Sequence, residues 1–185
     1  KEPHSAAPIF GQWPEALLWS CLQGVMGAVY ADHAVIPRAA MAVLGDFCFF
    51  AGRPEAALVS FKPASHRGRD FIIMVPQDAA WAALIEQVYG AQAKRVTRYA
   101  LRKEPAVFDR AALRRAAASL PPEYTLRTID APLFLQCGQN AWSRDFVSQY
   151  ADYAEFARLG LGVAALYRGR IVSGASAYAR YREGI

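Results

Sequence analysis

The sequence has little that could hold a metal or a disulfide, with three cysteines and three histidines in 185 residues. Cys21, Cys48 and Cys137 are far apart and odd in number, and each lies in an apolar stretch, as in Phe47-Cys48-Phe49-Phe50. This argues against a disulfide framework and predicts buried free thiols in a reducing compartment. His4, His33 and His66 have no neighbours at ligand spacing, so no metal site is expected. Long apolar runs are missing too. Residues 16–52 are the most apolar span, but Gln23, Asp32, His33, Pro37, Arg38 and Asp46 interrupt it, leaving nothing like the ~20 clean residues of a membrane helix. Residues 1–8 carry no apolar signal-peptide core. The expected location is cytoplasmic.

Several catalytic signatures are absent as well. There is no Walker loop, no complete dinucleotide fingerprint and no nucleophile elbow, since Gly174-Ala175-Ser176-Ala177-Tyr178 lacks the final glycine. Gly160-Leu161-Gly162 resembles a phosphate loop but follows a predicted helix and precedes a predicted strand. That is the reverse of the order that points a helix N-terminus at phosphate, so it reads as a helix stop.

What is present is material for a core. Apolar residues make up 54% of the chain and charged residues 20%, a balance that argues against wholesale disorder. The net charge of +5 comes mostly from scattered arginine, with no run of five or six like charges. Arg110, Arg114 and Arg115 lie on one basic helix without interleaved aromatics, so a solvated face explains them better than a nucleic-acid surface.

Pro14 and Glu15 open a helix, and Leu17, Leu18, Cys21, Leu22, Val25, Met26 and Val29 extend it at helical spacing. Ser20, Gly24, Gly27 and Ala31 form a second face of small groups. Each interior glycine costs about 1 kcal/mol against alanine, so this face is expected to pack closely on another element. Residues 41–51 are apolar on both alternate faces, as in a doubly covered strand or a tight pair of strands, with Gly45-Asp46 read as a turn. A strand over residues 70–75 leads to Asp78, the N-cap of an amphipathic helix that Gly90 ends. Residues 95–102 alternate as a half-exposed strand. Asp109 caps the basic helix, and Pro121-Pro122 stops it and marks a domain boundary. Beyond it the pattern predicts a strand over 124–129, a short helix from Asp130, a second helix over 148–159, and a hairpin of 161–167 with 171–181 around Arg168-Gly169. The fold class is α/β (α+β), with an N-terminal mixed α/β domain over 1–122 and a second unit over 123–185.

The order strand, two helices, antiparallel hairpin resembles the opening half of a GNAT-superfamily N-acetyltransferase domain. Ser20-Cys21-Leu22-Gln23-Gly24, Met26-Gly27, Gly45-Asp46-Phe47-Cys48-Phe49-Phe50-Ala51-Gly52, Thr97-Arg98-Tyr99, Asp145-Phe146-Val147-Ser148 and Ile171-Val172-Ser173-Gly174-Ala175-Ser176 together resemble a bacterial GNAT family related to zwittermicin-resistance acetyltransferases. The resemblance implies transfer of an acetyl group from acetyl-CoA, as co-substrate, to a small-molecule amine, without a metal. It also implies that 123–185 begins a GNAT domain, while 1–122 is open to reading as a degenerate GNAT-like unit. The family's pyrophosphate-binding turn, Gln/Arg-x-x-Gly-x-Gly/Ala, finds no match here. The expectation is therefore an incomplete second domain that holds no cofactor site and is inactive alone, completed by further sequence or by another chain.

By the same resemblance Asp145 and Ser148 lie where early helices wall the acceptor pocket. Ser173, Ser176 and Tyr178 lie on the last hairpin strand. Asp145, Ser173 and Ser176 are the candidate substrate-binding residues, and no catalytic residue is assigned. Two other functions stay open: a non-catalytic GNAT-like binding or dimerisation module, and a basic RNA-associated module. No membrane partner is expected.

Overall fold

A computed structural model describes residues 5–69, 71–99, 104 and 107–184. The chain divides into two compact units, one of residues 1–94 with 179–185 and the other of residues 95–178.

The first unit is built on a four-stranded sheet in the order β1-β2-β3-β4: β1 (Ala28–Ala31), β2 (Ala39–Leu44), β3 (Phe47–Gly52) and β4 (Ile73–Pro76). The first three strands are antiparallel, and β4 joins β3 in parallel. The apolar segment 41–51 is thus a tight pair of strands. Gly45 takes the first central position of its two-residue turn with φ 59°, a conformation glycine adopts without a Cβ penalty. Arg69 pairs with Asp46 of this turn.

Both faces of β2 and β3 are covered, which is why neither strand shows polar alternation. Met41, Val43, Cys48 and Phe50 pack on Leu58 and Val59 of α3 (Ala56–Ser60) and on Trp81 and Ile85 of α4 (Ala79–Tyr89). The Phe50 and Trp81 rings lie 5.3 Å apart, and the Trp81 indole donates to Gly52 O at 2.8 Å. Fully burying a side chain of this size contributes roughly 1.5–3 kcal/mol. On the opposite face Trp13 meets Phe49 edge-on, and α1 (Ala7–Phe10) and α2 (Ala16–Leu22) pack. Asp78 caps α4 by accepting from Ala80 N at 2.9 Å and Trp81 N at 3.0 Å, as its sequence position predicts.

The long first helix does not form. It stops at Leu22, and residues 28–31 are strand β1. Gly24 and Gly27 have φ of 63° and 76°, so they turn the chain instead of offering a smooth helix face. A Cβ on Gly27 would lie 2.4 Å from Val43 O, so the close approach anticipated there is real but belongs to a strand entry.

In the second unit a three-stranded antiparallel sheet runs β5-β6-β7: β5 (Tyr124–Thr128), β6 (Gly162–Tyr167) and β7 (Arg170–Ser176). Arg168 and Gly169, with φ of 48° and 81°, form the hairpin turn where the sequence places it. Gly162, Ala164 and Leu166 alternate into the core, which also holds Ile129, Leu133, Cys137, Tyr150, Phe156 and Leu159. Helices α6 (Ala131–Gln139) and α7 (Tyr153–Leu159) carry several of these groups, and Asp130 and Asp152 cap them. Helix α5 (Arg110–Ala118), capped by Asp109, buries no residue, so its arginines are solvated.

Three expectations need correction here. Residues 95–99 are not part of a strand among the described residues, and 100–102 lie outside them. The helix expected over 148–159 covers only Tyr153–Leu159, preceded by a single turn at Arg144–Phe146. The hairpin's second strand ends at Ser176, not at 181, and residues 179–185 belong to the first unit. There Ser20 Oγ donates to Arg180 O at 2.5 Å, and the Gln23 amide accepts from Arg182 N at 2.7 Å and donates to Glu183 at 2.8 Å.

Candidate functional site

Strand β7 is the element around which the second unit's candidate residues gather. Its register with β6 slips between Ala165 and Leu166, so Val172 is an extra residue. A bulge of this kind bends a strand and re-aims its side chains. Beyond it the pleat alternates. Gly174 and Ser176 face the helices: a Cβ on Gly174 would lie 2.7 Å from the Phe146 ring, and one on Gly162 would lie 3.3 Å from Ser176 Cβ. Ser173 and Ala175 face the other way and are exposed. On that open side Ser173 pairs with Ala165, and Ala175 with Val163, which is 40% exposed.

The structure therefore separates Ser173 from Ser176. Ser173 belongs to an open sheet face, whereas Ser176 is half-buried beside Gly162, with its hydroxyl 3.5 Å from Ala177 O. Asp145 sits in the turn Arg144–Phe146, exposed, with no hydrogen bond or ion pair to another described residue. The adjacent Phe146 holds this turn on the strand by filling the space that Gly174 leaves. Ser148 is exposed, and its hydroxyl accepts from Gln149 at 3.0 Å.

Sequence reasoning missed the groups that hold this arrangement. The buried Tyr150 donates its hydroxyl to Ala177 O at 2.8 Å and stacks edge-on against Phe156. Buried Ser143 donates to Cys137 O at 3.0 Å and ties the turn to the end of α6. Neither residue carries a local signal, because both act on partners that the fold brings near. Gly160 and Gly162 are explained by packing: a Cβ at either would strike Phe156 or Ile129, and Gly160 N–H closes α7 on Phe156 O at 2.7 Å. They form a helix stop, as the element order predicts.

The first unit holds a cysteine–histidine pair. Cys48 Sγ lies 3.8 Å from His66 Nδ1, and His66 Nε2 lies 2.7 Å from Gly45 O. The carbonyl can only accept, so Nε2 carries the proton and Nδ1 receives the thiol hydrogen. Nucleophile, base and orienting group are thus in sequence, yet the chemistry is not that of a catalytic dyad. Cys48 and His66 are each 2% exposed, and burial pushes the Cys48 thiol up to about 12. A reactive cysteine needs a depressed thiol and access, so this pair is structural.

All three cysteines are free and buried, as their flanks predict. Among the described residues no group of His, Cys, Asp and Glu could hold a metal ion. Among them, too, no helix is long and apolar enough to cross a membrane.

The comparisons with known proteins bear on the whole chain. Residues 7–185 match the family described as GNAT acetyltransferase. Since the match takes in both units, it gives no support to the expectation that the chain alone is inactive. A crystal structure of a GCN5-related N-acetyltransferase-like protein from Streptococcus suis 89/1591 has 41% sequence identity and a TM-score of 0.85, covering 96% of this chain and 70% of that one. No curated protein gives a significant match. With a family match over nearly its full length and a close structural relative, the chain belongs to the GNAT acetyltransferase family.

Proposed function

We propose that the protein moves an acetyl group from acetyl-CoA to a small-molecule amine. The observation that carries this reading is the similarity of sequence and backbone to GNAT proteins along almost the entire chain. In such a transfer the amine lone pair attacks the thioester carbonyl and the C–S bond breaks. Coenzyme A leaves as its thiol, and the amine nitrogen gives up one proton. The reaction needs a route for that proton and a donor for the developing oxyanion. Asp145 is a solvated carboxylate held beside β7, suited to accept the proton through water, while Ser173 and Ser176, on opposite faces of that strand, are alternative substrate-side hydroxyls. Kinship with zwittermicin-resistance enzymes and a cytoplasmic setting in a bacterium belong to the same reading and rest on the sequence strings alone.

The test is release of coenzyme A thiol from acetyl-CoA in the presence of a panel of primary amines. Amine-dependent release is expected, with Asp145→Asn lowering kcat more than Ser173→Ala or Ser176→Ala. If acetyl-CoA neither binds nor turns over with any amine, the second reading, a non-catalytic GNAT-like binding or dimerisation module, takes its place. What favours that alternative is the geometry: Ser173 and Ser176 face opposite sides of the strand, and Asp145 lacks a hydrogen-bonding partner among the described residues.

A further inference from the structure

An open groove of about 650 Å³ runs beside β1 in the first unit. This is within the range of small-molecule sites, which hold roughly 300–1,000 Å³. Tyr30 and the following loop form one side, and Glu55, Leu58 and Phe61 around α3 form the other. Most of the lining is apolar, with short alanine side chains leaving space. The Tyr30 and Phe61 rings lie 4.9 Å apart at an angle of 55°, and Phe61 is 45% exposed, so an aromatic surface stays available to a ligand.

The charged groups in the lining have one sign. Asp32 and Glu55 line the groove together with His33, whose Nδ1 accepts from Val35 N at 3.2 Å and Ile36 N at 3.1 Å, and no lysine or arginine is among the described lining residues, although the chain carries a net charge of +5. Asp32 Oδ1 accepts from Arg38 N at 2.9 Å and Ala39 N at 3.1 Å, and these donors hold its carboxyl below the usual carboxylate range. Its charge is thus present at neutral pH. Glu55 is half-buried at the start of α3, but its side chain does not cap the helix. Neither carboxylate forms an ion pair with a described cation. Arg38 lines an adjoining hollow together with Asp32 and His33, so Glu55 is the less contested of the two acids.

An anion would meet two like charges in this groove, and a neutral apolar ligand would desolvate Glu55 without compensation. A cation with an apolar body satisfies both features, because carboxylates attract the charge and aromatic faces attract it further. We propose that the groove binds a small organic ammonium, with its apolar body against Tyr30 and Phe61 and its charge met by Asp32 and Glu55. That this ammonium is the acceptor rests on the acetyl-transfer reading; the binding itself does not.

The experiment uses phenethylamine and, as its uncharged counterpart, phenethyl alcohol, titrated into the full chain by calorimetry at physiological salt. The amine is expected to bind and the alcohol to bind about tenfold more weakly or not at all. Glu55→Gln and Phe61→Ala should each weaken the amine about tenfold, Glu55→Gln with the melting temperature unchanged and Phe61→Ala with the circular dichroism spectrum of the folded protein retained. Asp32→Asn keeps the carbonyl that accepts from Arg38 and Ala39 and removes only the charge, so it should weaken binding without loosening the loop. Absence of amine binding, equal binding of amine and alcohol, or wild-type affinity in both Glu55→Gln and Asp32→Asn overturns the proposal. Amine binding in the groove, with no acetyl-CoA binding or turnover with any amine of the panel, would refute acetyl transfer and leave the groove standing. Turnover of phenethylamine untouched by Glu55→Gln and Phe61→Ala would remove the groove as the acceptor site and leave acetyl transfer standing.

Discussion

Cys21 shows how completely a side chain's surroundings can set its chemistry. Burial pushes its thiol from about 9 up to about 12, although its Sγ lies within hydrogen-bonding distance of Val43 O at 3.3 Å. Cys48 is raised to the same level, mainly by burial. A raised folded-state value means that the native protein holds these protons longer than the unfolded chain does. The resulting stability is fully present below pH 9 and is lost as pH climbs from about 9 toward about 12. Native thiol titration at pH 8 should therefore find little reactivity, rising to three thiols per chain on unfolding, and rapid native modification of all three would contradict the burial. The two turn glycines separate a second pair of effects. Gly24 has positive φ in open space, so Gly24→Ala should cost the conformational penalty alone, roughly 1–2 kcal/mol. Gly27→Ala adds a Cβ 2.4 Å from a backbone carbonyl of β2 and should lower the denaturant midpoint further. Equal losses would show that the contact with Val43 yields freely.

Among the elements, the contact between the turn Arg144–Phe146 and strand β7 decides where Asp145 sits. The turn has only three residues; Ser143 ties its start to α6, and Phe146 against Gly174 anchors it on the strand. Gly174→Ala should force the Phe146 ring aside and destabilise the protein by ~1–3 kcal/mol, the range for overpacking. In a Phe146→Ala background the same substitution should cost less, because the space is already empty. A double-mutant cycle on urea midpoints measures this coupling, and additivity of the two changes would remove the anchor. The caps are simpler. Asp78, Asp109, Asp130 and Asp152 each accept from backbone N–H groups of the helix they open. Asp78 and Asp109 were legible in sequence as caps and Asp130 as the start of a helix, since a cap acts within a few residues of itself.

For the molecule as a whole, residues near the end of the chain help to hold the beginning. Gln23 at the end of α2 accepts from Arg182 and donates to Glu183, while Ser20 donates to Arg180, linking positions about 160 residues apart. Gln23→Ala removes both amide contacts and should cost about 1 kcal/mol for each hydrogen bond lost. Amide exchange over residues 180–184 should accelerate in that variant while exchange in β5 and β6 stays unchanged. Unchanged exchange at 180–184 would mean that other contacts fix the segment.

Read by itself, the sequence determined what depends on near neighbours: the free buried thiols, two of the aspartate caps, the Gly45-Asp46 and Arg168-Gly169 turns, and the strand–helix–helix–hairpin order of residues 124–176. Its strings also resembled the family to which the chain belongs. Its errors fell where the deciding partner is remote. The helical spacing of Val25, Met26 and Val29 fits a continued α2, but pairing of Tyr30 with Met41 draws the segment into β1, and two glycines supply the positive φ that the turn requires. Residues 95–99 alternate like a strand but join no sheet among the described residues, and alternation alone cannot supply a partner strand. Ser173 and Ser176 were assigned to one strand correctly, and the tertiary packing of Phe146, Phe156 and Ile129 shows which of them faces the helices. The groove beside β1 was invisible for the same reason, since Asp32 and Glu55 meet only after β2 and β3 have paired. Local free energies of caps and turns can be read along the chain, whereas pairing and packing depend on contacts that exist only once it has folded.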